Sequence, residues 1–170
     1  MQQQKDWRAD ITRSIAAAFA TQRDLAERAI AQVGGQDLFR PAGDDQNSIA
    51  ILMKHVGGNL RSRWTEPFTT DGEKPDRNRD GEFESEQAEA DVVRHTWPQG
   101  WTTLEDTLRG LRPEDYERTL HIRGEPLTLL DALHRSLAHT AQHVGQIVLL
   151  ARQWRGADWH TLSIPRRRSP

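Results

Sequence analysis

Apolar residues recur at helical spacing in four stretches of the chain. In the first, Ile11, Ile15, Ala18, Phe19, Leu25, Ala29 and Ile30 keep to one face, which predicts a helix from about Asp6 to Val33, closed by Gly34-Gly35. A loop with Pro41 and Gly43 follows over 37–45. The second helix runs from an N-cap at Asn47 or Ser48 to about Trp64, with Ile49, Leu52, Met53, Val56 and Leu60 on its stripe. Gly57-Gly58 lie in its interior, where each costs about 1 kcal/mol relative to Ala. That cost predicts close approach of a neighbouring helix or a ligand, or else a simple weak spot in the helix.

The period is lost between Thr65 and Glu84, a segment dense in charge and punctuated by Pro67, Gly72, Pro75 and Gly81. Loops of this length in a compact domain are usually functional or disordered. A third helix is predicted from Ser85 to about Leu111, with Val92, Trp97, Trp101, Leu104 and Leu108 on one side and an interruption at Pro98 and Gly100. Thr119 to Pro126 alternates around Gly124 and predicts a short extended turn. The fourth helix covers about Leu127 to Arg155. In the tail, Gly156 to Pro170, Trp159, Leu162 and Ile164 are expected to pack back, and Arg166 to Arg168 to be a solvated terminus. The expectation is an all-α fold: one domain over residues 1–170, a four-helix bundle with a long crossover between helices two and three.

Composition narrows the chemistry. The chain has no cysteine, which excludes disulfides, thiolate zinc sites and a Cys nucleophile. Any metal must be held by His, carboxylate or water. A formal charge of -2 lacks the basic surplus of a nucleic-acid binder. No apolar run approaches a membrane span, and Met1 to Lys5 carries no apolar leader segment. A cytoplasmic protein with neither nucleic acid nor membrane as partner is expected.

The histidines carry the strongest signal. His139-Thr-Ala-Gln-His143 places two imidazoles four residues apart, one above the other on a helix. At about 100° per residue with Leu137 at zero, the leucine-rich stripe of helix four fills an arc from about 280° to about 40°. His139 and His143 then fall at about 200° and 240°, on one flank, while His134 falls at about 60° on the other and is excluded. His55 likewise borders the stripe of helix two, with Ile51, Asn59 and Ser62 as same-face neighbours. Crossing helices could bring the three rings together as a metal site with open positions, the catalytic pattern rather than the closed structural one. Partly buried histidines that only hydrogen-bond to their neighbours satisfy the same spacing. Gln142 and Gln146 fall on the polar side and read as surface or helix-contact residues.

Together, Met53-Lys-His-Val-Gly-Gly-Asn-Leu-Arg-Ser-Arg-Trp64, Thr69 to Pro75, Arg77 to Asp80, His139 to Ile147 and Trp159 to Arg166 resemble the DinB/YfiT-like superfamily, in one of its branches of unknown function. The pattern departs at Arg167 and Arg168, where Gly and a small or polar residue are expected. The resemblance implies a bundle, often dimeric, with a divalent metal on His55, His139 and His143, nickel or zinc in most cases and iron or cobalt as options. Characterised relatives include thiol S-transferases using low-molecular-weight thiols and a thiol-dependent isomerase. The functional expectation is a metal-dependent enzyme, of thiol transferase or hydrolase type, acting on a small molecule and assembled as a homodimer. The alternative is a non-catalytic metal-binding or dimerisation bundle. Asn59 and Arg63, one and two turns beyond His55, are candidates to orient substrate, although a solvated helix end fits Arg63 equally. Asp71 and Glu73 are candidates for a general base or for a carboxylate that accepts from a His N–H.

Overall fold

The computed structural model describes residues 6–84 and 92–164. Its elements are α1 (Trp7–Ile30), α2 (Ile49–Trp64), α3 (Trp97–Gly110), β1 (Thr119–Ile122), β2 (Glu125–Thr128) and α4 (Leu129–Arg155). Side-chain oxygens start three of the helices. Asp6 accepts from the Arg8 amide, Ser48 from Ile51 and Thr128 from Asp131, each satisfying a donor with no partner inside its helix. Of the two candidate caps for α2, Ser48 is the one used.

Four helices share one hydrophobic core. α2 packs chiefly on α3, α1 chiefly on α4, and α2 also meets α4. α2 is the central element: nearly all of it is buried, and only Lys54, Gly58, Arg61 and Arg63 reach the surface in part or whole. Its Gly57 explains how α3 comes so near. A Cβ on Gly57 would collide with the Thr96 carbonyl, and one on Gly100 with the Gly57 backbone. The predicted close approach is therefore a helix crossing, backbone against backbone. Gly58 faces the Glu82 carboxylate instead.

Several expectations are corrected. The chain is mostly helical, with four helices as expected, and the extended turn at Thr119–Pro126 is longer than expected: Thr119–Thr128 is an antiparallel hairpin, with Leu120 opposite Leu127. Its turn residues Arg123 and Gly124 both have positive φ, 57° and 78°, the conformation that closes a two-residue hairpin. Leu127 and Thr128 consequently belong to β2, and α4 begins at Leu129. α1 ends at Ile30, before Val33, in a turn where the Gln32 and Val33 amides reach back only three residues. The helix predicted from Ser85 starts outside the described residues. A π-turn at Val92–Thr96 leads into α3, whose first turn holds Pro98, a position where the missing N–H costs nothing.

The crossover after α2 is tied down. The Gly72 amide donates to the His121 carbonyl at 2.7 Å, and the Ser62 hydroxyl donates to the Gly72 carbonyl at 2.7 Å. It ends in a single 3-10 turn, Asp80–Phe83. In the tail, Trp159 and Leu162 pack against the core while Ile164 is 92% exposed. Arg166–Arg168 lie outside the described residues. No described helix is long and apolar enough to cross a membrane.

Candidate metal centre

α4 turns a different face inward from the one its leucines mark. Its buried residues include Ala132, Leu133, Ser136, Thr140, Val144, Ile147 and Ala151, spanning about 220° to 340° on the helical wheel that has Leu137 at zero. Leu137 is only partly buried and Leu149 is 65% exposed. The buried arc is rotated by about 60° towards the histidines, so His143 falls inside it and His139 at its edge. Small polar side chains make this possible. Ser136 accepts from the Trp64 indole N–H at 3.1 Å, which also sets the level at which α2 and α4 meet.

That register brings His55, His139 and His143 together. One ring nitrogen from each lies within 4.8 Å of the others, so the group could hold a metal ion. The ring centroids are 5.0 Å apart for His55–His139, 4.9 Å for His55–His143 and 4.6 Å for His139–His143. His134 instead turns its Nδ1 to the Leu130 carbonyl and is exposed.

Two of the rings have their orientation set from behind. His55 Nδ1 faces Glu82 Oε2 at 2.8 Å, and Arg77 grips the same carboxylate through Nε and a terminal nitrogen at 2.7 and 2.8 Å. All three side chains are almost fully buried. Burial alone would raise the Glu82 pKa, but hydrogen bonds from His55 and Arg77 and the Arg77 charge outweigh it and hold the group below its ordinary value. Glu82 is therefore ionised at neutral pH and accepts a hydrogen bond from His55 Nδ1–H, which turns Nε2 towards the other two rings. His143 Nδ1 faces the Gln146 side-chain oxygen at 2.8 Å, which favours the same tautomer. Such partners behind a ring fix the ligand nitrogen and raise its basicity.

His139 is different. Its Nε2 lies 3.0 Å from His55 Nε2, and its Nδ1 is buried with no hydrogen-bond partner among the described residues. Burial, then the nearby His143 and His55, lower its pKa from 6.5 to about 3; burial also lowers that of His143. His139 and His143 are thus biased to the neutral ring, the state in which imidazole ligates. The donor set fits a divalent ion: converging imidazole nitrogens, two of the rings oriented from behind, and an orphaned ring nitrogen on the third.

The other sequence candidates divide. Asn59 and Arg63 line a cavity of about 180 Å³ that His55 and His139 also border. Arg63 is no solvated end: its side chain is 10% exposed and it pairs with Glu73 at 3.1 Å. The Asp71 carboxylate has no hydrogen bond to a histidine among the described residues. It accepts from the amides of Glu73, Arg123 and Gly124 and so caps the hairpin turn. Glu73 joins Arg63, Arg77 and Arg123. The carboxylate that receives a His N–H is Glu82, which the sequence reading missed together with Arg77; nothing in their spacing from His55 marks them. Gln146, expected as a surface or helix-contact residue, is exposed and also reaches His143, a contact that its i+3 relation signals.

No curated protein and no solved structure is similar enough to this chain to match it. A family model described as Protein of unknown function (DUF1572) matches residues 6–168, nearly the whole length, and the chain belongs to that family.

Proposed function

We propose that the protein is a metal-dependent enzyme of the DinB/YfiT-like superfamily that holds a divalent ion, nickel or zinc, through His55, His139 and His143. The observation that carries this reading is the convergence of three imidazoles beside a cavity, with His55 and His143 held by Glu82 and Gln146. When bound, such an ion supplies a Lewis acid that lowers the pKa of a water or thiol. The chain's own residues do the rest. Glu82 and Arg77 hold His55 in its ligating tautomer. Trp64 and Ser136 fix the register of the two helices. Asn59 and Arg63 orient a small-molecule substrate in the cavity. A thiol S-transferase using a low-molecular-weight thiol, or a hydrolase, fits this arrangement, and the proposal extends to a homodimer in the cytoplasm.

The test is a screen of electrophiles against several low-molecular-weight thiols and water, wild type beside His143→Ala, with metal content measured on both. Turnover that tracks bound metal and is absent from His143→Ala supports the reading. A metal-loaded wild type with no thiol or water chemistry would favour a non-catalytic metal-binding bundle. Metal-free protein of unchanged stability in both forms would leave the histidines structural.

A further inference from the structure

We propose that the cavity beside the three histidines takes the carboxylate of a small anionic molecule, held by Asn59, Arg63 and Arg135. The inference deepens the reading of the histidines as a reaction centre, since it names the class of molecule that meets it.

The cavity wall is charged with one sign. Arg63, Arg77, Arg79, Arg123 and Arg135 line it, and no carboxylate does. Behind the wall, Glu73 receives Arg63, Arg77 and Arg123 at 3.1, 3.2 and 3.0 Å, while Glu82 receives Arg77. Three guanidiniums thus share two carboxylates. Arg79 lies over the Phe83 ring, and its one ion pair among the described residues is with Asp80, 93% exposed, at 3.5 Å. Arg135 has no hydrogen-bond or ion-pair partner among the described residues. The cavity therefore carries positive charge that the protein does not neutralise.

An independent observation points to a ligand. Asn59 lines the cavity and is 8% exposed, yet its side-chain amide makes no hydrogen bond among the described residues. Neither amide atom is sealed off from the cavity, so donor and acceptor are both open to whatever occupies it. Ser136, also on the wall, accepts from Trp64 and still has a hydroxyl proton to donate. An amide N–H, a hydroxyl and planar guanidinium forks are the donors that suit a carboxylate. The volume of about 180 Å³ corresponds to about six waters, room for a small acid and not for a drug-sized ligand.

The placement is directional. His55, Asn59 and Arg63 stand at successive turns of α2, and Arg135 stands one turn before His139 on α4. The Trp64–Ser136 contact sets Arg63 and Arg135 at one level. A molecule anchored there by its carboxylate presents its other end towards the histidines.

The probe is succinate, with neutral succinamide as its control, titrated calorimetrically into metal-stripped and zinc-loaded full-length protein. The expected result is one succinate site in wild type and binding of succinamide about tenfold weaker or more. Arg135→Ala, at an exposed position, should weaken succinate by about tenfold, and Asn59→Asp, of unchanged size, should abolish it by placing like charge in the cavity. Equal binding of the two probes, no binding of succinate, or an Arg135→Ala titration identical to wild type overturns the inference; Arg135→Ala decides if Asn59→Asp does not fold. Zinc uptake on the same samples separates the two proposals. Zinc binding without succinate binding removes the anion site alone. Arg135-dependent succinate binding in a chain that takes up no zinc removes the metal centre alone.

Discussion

On one side of α2, Gly57 lies against Thr96 and Gly100 with no side chain between the backbones. On the other side, His55 and Arg63 meet polar groups from α4 and from the crossover loop. The first contact is steric. Its partners are fixed by shape, and any added atom collides with backbone. The second is electrostatic. Arg77, Glu82 and His55 form a buried chain in which each member satisfies the next. Breaking such a chain costs more than its formation gains, because the remaining partner stays buried and charged. One helix thus separates a contact that holds the fold from a network that sets the chemistry. Changes on the two faces should be separable by experiment.

The largest effect is expected from His55→Ala, which removes the only ligand candidate on α2 and should abolish metal uptake while the far-ultraviolet circular dichroism stays native. Undiminished uptake would place the third ligand elsewhere. Gly57→Ala should do the reverse, lowering stability by about 1–3 kcal/mol in denaturant titrations while the folded fraction keeps its metal affinity. Equal loss of both properties would erase the distinction between the faces. Glu82→Gln keeps the size but not the charge behind His55, and should weaken metal binding by about 10–100-fold in a competition assay.

The smallest effect concerns protons. Burial, followed by the charges of His143 and His55, puts the folded-state pKa of His139 at about 3, below the 6.5 of an ordinary histidine. Between those values the unfolded chain binds a proton that the native ring refuses. The contribution of His139 to metal-free stability is therefore complete above about pH 6.5 and is lost as pH falls towards 3. Urea titrations should show declining stability through that window, and a smaller decline in a His139→Gln protein. The same slope in both would mean that other groups set the acid sensitivity.

The elements of this molecule were legible to different degrees. His139 and His143 announce themselves by spacing, and His55 by its place beside a stripe, because helical periodicity is a local property. Gly57 announced the crossing for the same reason. The face of α4 was misjudged because Ser136 and Thr140 are polar in composition yet buried, one satisfied by Trp64 across the interface. Glu82 was invisible because it sits in a loop rich in charge, 27 residues from the ring that it orients, and no periodicity says which carboxylate folds back. The hairpin was half visible: Gly124 marked the turn, but short strands that pair only with each other carry little hydrophobic pattern.

The central claim is that the three histidines form a metal site. The most direct measurement is elemental analysis of untagged protein purified without chelator, wild type beside His143→Ala. The account predicts about one divalent ion per wild-type chain and near none in the variant. Less than about a tenth of an equivalent in wild type, even after incubation with nickel or zinc, would contradict it.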